Sequence, residues 1–242
     1  MRIVVTNCNT TATMTEEIVQ GARSAAAPGT TVTGLTPAWG PESAEGWLDS
    51  HLSAAAVLDT LRTYDGPPYD AVVMAGFGEH GREGARELVG VPVVDITEAA
   101  AHLACLLGRR YGVITTLDRS RGQIEDSLET AGVARNCAAV LGTGLAVLDL
   151  TADPTRTEAA FLTAAEQARA AGAEVLVLGC AGMTGLQRKL SAHLRLPVVD
   201  GVGAAVKLAE SLVALDLTTS RANSYARPLP KRRVWSRPPS SS

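Results

Sequence analysis

The chain has 242 residues, of which 46% are hydrophobic, 4% aromatic and 19% charged, and its formal net charge is −3. This length suits one large domain or two small ones, and the scarcity of aromatic side chains favours close packing of helices on a sheet over an aromatic sandwich. The excess of acids over bases excludes the broad positive field that nucleic-acid binding needs.

The chain opens on a strand-like segment, Met1–Val5, with no cationic stretch before a long apolar one, so we expect neither a signal peptide nor a membrane span. The four cysteines form no C-x-x-C pair, and neither they nor the four histidines show the spacing of metal ligands. None of the three lysines stands at a strand end, so pyridoxal chemistry is not indicated. We expect reduced thiols in the cytoplasm, no metal ion and no cofactor.

Apolar runs of strand length alternate with alanine-rich helical stretches, which is typical of an α/β protein with parallel sheets. The clearest predicted strands are Ile3–Thr6, Ala71–Ala75, Tyr111–Thr115 and Val175–Leu178. The predicted helices are Thr15–Ala26, Leu52–Tyr64, Glu98–Leu107, Gln123–Ala131, Thr155–Ala171 and Ala204–Leu215. Glu16 and Glu17 then fall in the first turn of the first helix, where they complement the helix dipole.

An internal repeat divides the chain into two similar halves. In the same order, Arg2–Asn7 matches Tyr111–Thr116, Ala71–Gly78 matches Val175–Gly182, and Val91–Asp95 matches Leu196–Asp200. The repeat predicts two pseudo-symmetric α/β lobes, each a parallel sheet flanked by helices, with the active site in the cleft between them. It places Gly76 and Cys180 at equivalent positions on opposite walls.

The repeat also sets the expected boundaries of the lobes. We expect residues 1–97 to form the first lobe, with residues 205–226 returning to it, and residues 98–204 to form the second. Residues 227–242 form a basic tail rich in Pro and Ser, either solvated or laid across the acidic body of its own or a neighbouring subunit.

Cys180 is the leading catalytic candidate. It follows a buried-strand pattern and precedes a turn that leads into a helix, and a helix N-terminus favours a thiolate. A modest fall from an ordinary pKa of about 8.5 makes such a thiol a base near neutrality. The alternative is that Cys180 is a small apolar residue filling a gap in the core.

A glycine-rich loop, Gly76–Gly84, is predicted on the opposite wall. Its glycines allow the backbone to approach a ligand closely, and Glu79 and His80 are candidate proton-transfer groups. His80 has an alternative role as a surface residue that caps the next helix. The loop matches neither G-x-x-x-x-G-K-[ST] nor G-x-G-x-x-G, so a nucleotide site is not predicted.

Other polar residues follow the first strands of the two lobes. Asn9, Thr10, Thr115 and Thr116 offer amides and hydroxyls to carbonyl oxygens or an oxyanion, unless they serve only as helix caps and turns. The loop Trp39–Trp47 carries two of the three tryptophans and forms either a lid or wall over an apolar substrate group or a subunit contact.

The ordered set of motifs resembles the aspartate/glutamate/hydantoin racemase superfamily, and within it the hydantoin and allantoin racemase branch. The motifs lie in Asn7–Thr10, Gly40–Gly46, Gly76–Gly81, Val113–Leu117, Leu178–Met183 and Pro197–Gly201. The resemblance implies a pseudo-symmetric two-lobe fold without a cofactor. It also implies proton exchange at a carbon next to a carbonyl, with two cysteines as acid and base on opposite faces.

This sequence departs from the family pattern at two positions. The second family cysteine corresponds to Cys180, but the first corresponds to Gly76. Cys8 stands where the family usually has proline between two asparagines. His80, where the common hydantoin pattern has proline, is therefore the predicted replacement base, with Glu79 in reserve.

We therefore predict an isomerase, a cytoplasmic homo-oligomer that racemises 5-substituted hydantoins or allantoin-like small molecules. The predicted substrate-binding residues are Asn9, Thr10, Ser43, Gly76, Phe77, Thr115, Thr116, Gly182 and Met183. Two alternatives stay open. An arylmalonate-type decarboxylase also resembles this layout, with one cysteine opposite a glycine, and a non-catalytic small-molecule sensor would use the same cleft.

Overall fold

Two four-stranded parallel sheets organise the protein in a computed structural model that describes residues 1–150, 152–181 and 186–233. The first sheet contains β1 Arg2–Asn7, β2 Thr31–Leu35, β3 Ala71–Ala75 and β4 Val93–Asp95. The second contains β5 Tyr111–Thr115, β6 Cys137–Gly142, β7 Val175–Leu178 and β8 Val198–Asp200. The helices are α1 Ala12–Ala25, α2 Trp47–Arg62, α3 Arg82–Leu88, α4 Ile96–Leu107, α5 Arg121–Thr130, α6 Pro154–Ala170, α7 Leu186–Leu194 and α8 Gly201–Ala214.

The two sheets have the same strand order, β2-β1-β3-β4 and β6-β5-β7-β8. The sequence repeat is therefore confirmed as two lobes of one architecture. Three predicted strands coincide with β3, β5 and β7, because each is a fully buried apolar run. Both faces of these strands are covered by helices, as parallel sheets require.

The start of α1 differs from the prediction. The helix begins at Ala12 instead of Thr15, so Glu16 and Glu17 lie beyond its first turn, which contains no acid. Its entry is organised by asparagine side chains in the preceding turn: Thr11 N donates to Asn9 Oδ1 at 3.0 Å. These side-chain to backbone hydrogen bonds set the beginning of α1 three residues before the position that the two glutamates suggested.

The α4 and α8 helices pack against each other between the lobes. Each follows the fourth strand of its own sheet, and α4 also packs on β7 whereas α8 packs on β3. Their facing surfaces are rich in alanine, including Ala100, Ala104, Ala205 and Ala209, which allows a close approach and joins both sheets in one core. None of the helices described here is long and apolar enough to cross a membrane.

A buried ionic cluster fixes the loop after β3 to the start of α4. Arg82 is only 1% exposed, and its guanidinium lies 2.6 Å from Glu83, 3.5 Å from Glu98 and 3.8 Å from Asp95. Asp95 also caps α4 by accepting hydrogen bonds from its first backbone amides. Burial raises the pKa of Asp95 to about 7, although the positive charge of Arg82 opposes that rise.

We expect Arg82→Met to reduce the free energy of unfolding by about 3–5 kcal/mol, because it leaves the fully buried Asp95 carboxyl without a nearby cation. The matched control is Arg169→Met, which removes an exposed ion pair with Glu166 and should cost less than about 1 kcal/mol. Urea unfolding of both variants measures the difference. Equal stability of the two variants would show that the cluster does not support the fold.

Candidate active site

A cavity lies between the carboxyl ends of the two sheets. It brings together seven residues that the sequence predicted for the site: Asn9, Gly76, Phe77, His80, Thr115, Thr116 and Cys180. The remaining lining includes residues outside the predicted set of catalytic and substrate-binding residues: Asn7, Cys8, Met14, Ala44, Ser120, Gln123 and Val147. First-lobe residues thus face second-lobe residues across one cavity.

Three other predicted residues, Thr10, Ser43 and Glu79, do not line this cavity in the described part of the chain. The Thr10 hydroxyl donates to the carbonyl of Pro41 at 3.3 Å and so fixes the neighbouring loop. Glu79 has a φ of 70°, and its carboxylate accepts hydrogen bonds from the first backbone amides of α3 and the residue before it. The Glu79 carboxylate therefore caps the start of α3 and does not face the cavity.

The remaining predicted binding residues, Gly182 and Met183, lie outside the described residues. Cys180 follows β7 and is half-buried, on the wall that the second lobe contributes. The preceding residue, Gly179, is held on β5, since its amide donates to the Ile114 carbonyl at 2.8 Å and its carbonyl accepts from Thr115 Oγ1 at 3.3 Å. The backbone that carries Cys180 is therefore anchored in the sheet.

Cys8 and His80 fill the space beside Gly76. The register pairs Asn7, the last residue of β1, with Ala75, the last residue of β3. The residues that follow them, Cys8 and Gly76, therefore lie side by side. A Cβ atom placed on Gly76 would lie 2.3 Å from His80 Cδ2, 2.6 Å from Cys8 Cβ and 3.0 Å from Cys8 Sγ. These separations are shorter than van der Waals contact, so a side chain at position 76 and the present side chains exclude each other.

The charge states of His80 and Cys8 follow from burial. His80 is 4% exposed, and desolvation lowers its pKa to about 4, with a smaller opposing effect from the Phe77 carbonyl. The imidazole is therefore neutral at pH 7. Desolvation, with a smaller contribution from the nearby Cys180, raises the pKa of Cys8 to about 12, so Cys8 is a protonated thiol at neutral pH.

Two asparagines at the end of β1 have different roles. The Asn7 amide donates to Asn9 Oδ1 at 2.9 Å and to Thr15 Oγ1 at 3.1 Å, which holds the turn before α1. For the Asn9 amide nitrogen, the contact seen among the described residues is a long one, 3.6 Å to Met14 Sδ. Asn9 therefore retains a hydrogen-bond donor for a ligand carbonyl.

Gln123 of α5 links the two lobes beside the cavity. Its side-chain amide donates to Ser50 Oγ at 2.6 Å and to the Gly78 carbonyl at 3.1 Å, and both acceptors belong to the first lobe. A second link joins Val147 N to Glu45 Oε1 at 2.8 Å. These bonds hold the walls of the cavity at a fixed separation.

The loop that carries two tryptophans reaches the cavity through Ala44. Trp39 instead donates to Asp59, and Trp47 stacks on His51, both at the protein surface. No group of His, Cys, Asp and Glu side chains suited to a metal ion occurs in the portion of the chain that the structure describes. The small Ala44 thus forms this part of the wall.

Comparison with known proteins identifies relatives over nearly the whole chain. The Asp/Glu/Hydantoin racemase family model matches residues 3–209. A hydantoin racemase from Rhizobium meliloti is 41% identical over 94% of this chain and 95% of its own length. The solved allantoin racemase from Pseudomonas fluorescens is 52% identical, with a TM-score of 0.94 over 97% of this chain and 100% of that one. An allantoin racemase from Klebsiella pneumoniae is 39% identical, with a TM-score of 0.92 over 97% of this chain and 96% of that one.

We expect Gly76→Ala to lower the free energy of unfolding by about 1–3 kcal/mol, because the added methyl group overpacks the space held by Cys8 and His80. Gly122→Ala is the control, since Gly122 is an exposed residue of α5 with open space where a Cβ atom would lie, and this variant should gain about 0.4–1 kcal/mol. Urea denaturation compares the two. A Gly76→Ala protein as stable as Gly122→Ala would contradict the crowding described above.

Proposed function

The chain belongs to the Asp/Glu/hydantoin racemase family, and on that premise we propose that it racemises 5-substituted hydantoins by removing and returning the proton at C5. The observation that carries the proposal is the cavity that places Cys180 opposite a first-lobe wall of polar and thiol groups. Allantoin is itself a hydantoin with a ureido group at C5. The similarity to hydantoin and allantoin racemases therefore supports one substrate class.

The C5 proton of a hydantoin is acidic because the adjacent carbonyl takes up the negative charge when the proton leaves. Cys180 as a thiolate would remove this proton and become a thiol. The resulting enolate needs preorganised donors near its oxygen, and these interactions lower the barrier because they strengthen as charge develops. We assign this role to the Asn9 amide, to Thr116 and to backbone amides near Gly76 and Cys180.

The group that serves the other face of C5 stands on the first-lobe wall. Of the two replacement bases predicted from the sequence, His80 lines the cavity and Glu79 caps α3.

The expected homo-oligomer is supported by Leu106 and Leu107, apolar side chains that are 80% and 57% exposed at the end of α4. The cytoplasmic location stays a prediction.

Cys180→Ser should reduce racemisation at least about 100-fold, the scale of losing a positioned acid or base, because a hydroxyl is far less acidic than a thiol. The assay follows the optical rotation of single enantiomers of 5-benzylhydantoin and of allantoin. Cys137→Ser, remote from the cavity, is the matched control. Full activity of a folded Cys180→Ser protein would overturn the mechanism.

The same preparation separates the alternative functions. A decarboxylase would release carbon dioxide from a disubstituted malonate and leave hydantoins unchanged. A sensor would bind a hydantoin, measurable by calorimetry, without exchange of its C5 proton in deuterium oxide. Either result would replace the racemase proposal.

We also expect EDTA and carbonyl-directed reagents to leave the rate of racemisation unchanged, because the proposed steps use only side chains of this chain. The measurement compares initial rates before and after incubation with each reagent. Loss of activity with EDTA, restored by a divalent ion, would contradict proton transfer that is independent of a metal ion.

A further inference from the structure

We propose that Cys8 is the second catalytic thiol, acting on the face of the substrate opposite Cys180 from the wall where Gly76 lacks a side chain. This inference rests on the proposed racemase function and identifies its second acid/base. It differs from the sequence prediction, which gave that role to His80.

Strand register places Cys8 correctly for this role. Neighbouring strands in a sheet lie about 4.8 Å apart, and Asn7 pairs with Ala75, so Cys8 and Gly76 leave adjacent strands at the same level. In the second lobe Ile114 pairs with Leu178, which puts Thr116 and Cys180 at the corresponding positions. The first lobe thus carries its thiol just after β1, and the second lobe carries its thiol just after β7.

The crowding around Gly76 shows how far the Cys8 thiol reaches. Its sulfur lies 3.0 Å from the position of a Cβ atom built on Gly76. A side chain at position 76 would start from that point. The Cys8 sulfur therefore lies close to where the side chain of a cysteine at position 76 would begin. Because Gly76 has no side chain, there is space for this sulfur.

Access to the cavity favours Cys8 over His80. All three side chains line the cavity, but Cys8 and Cys180 are half-buried whereas His80 is only 4% exposed. The Nδ1 atom of His80 is buried with no hydrogen-bond partner in the described chain. With a pKa of about 4, the imidazole is also a much weaker base than a thiolate. We assign His80 to packing beside Cys8.

Cys8 and Cys180 line the same cavity, and a negative charge on Cys180 raises the pKa of Cys8. Two negative charges in this site would repel each other, so the proposed mechanism uses the pair with one thiol and one thiolate. For one enantiomer, the Cys180 thiolate takes the C5 proton and the Cys8 thiol gives its proton to the opposite face. The product is inverted, Cys180 holds the proton, and Cys8 holds the charge. The other enantiomer uses the same steps in reverse.

The test uses each enantiomer of 5-benzylhydantoin in deuterium oxide, with optical rotation to measure inversion and proton NMR to measure exchange at C5. Cys8→Ser should lose inversion at least about 100-fold and keep exchange only for the enantiomer whose proton faces Cys180. Cys180→Ser should keep exchange only for the other enantiomer. Cys105→Ser, on α4, is the control, and His80→Ala should keep inversion within about tenfold of the wild-type rate.

Opposite stereochemical losses in Cys8→Ser and Cys180→Ser would establish the pair. Normal inversion by Cys8→Ser, or loss of exchange from both enantiomers in a folded Cys8→Ser protein, would overturn the assignment. Cys8→Ala is the second variant if serine disturbs folding, and the same outcomes apply to it. If the wild-type protein itself neither inverts nor exchanges any hydantoin, the proposed function fails and the inference fails with it.

Discussion

The site depends on the parallel register of the two central strands in each sheet. Because β1 and β3 end at the same level, residues separated by almost seventy positions in the chain become neighbours at the edge of the sheet. The same relation joins β5 to β7 in the second lobe. Hydrogen-bonded strands fix this alignment with little freedom, since a shift by one residue would turn every buried side chain to the other face.

The sequence was sufficient for the architecture because the signals were local. Fully buried strands appear as short apolar runs, and the repeat of three such runs in one order predicted two equivalent lobes that the strand orders confirm. Cys180 was selected for the same reason, since it follows one of those runs. The start of α1 was misplaced because the Asn7 and Asn9 side chains, and not an acidic first turn, organise the preceding turn.

Other features of the site depend on geometry that a linear pattern does not contain. The proximity of Cys8 to Gly76 is a consequence of strand register. Gln123 lies within a helix and has no motif of its own, yet its amide joins two lobes. Glu79 has suitable chemistry for a base, but the left-handed conformation of its backbone accompanies a carboxylate directed to the amides of α3. Residue type alone did not reveal these orientations.

The shared volume at positions 8, 76 and 80 has an evolutionary consequence. A side chain at position 76 would collide with the present side chains at positions 8 and 80. Enlarging residue 76 alone therefore overpacks the site, and shrinking residue 8 or 80 alone leaves a cavity. The residues at these three positions should therefore change together during evolution. Covariation of side-chain volume at these positions, more than identity at any one of them, is therefore the expected mark of this shared space.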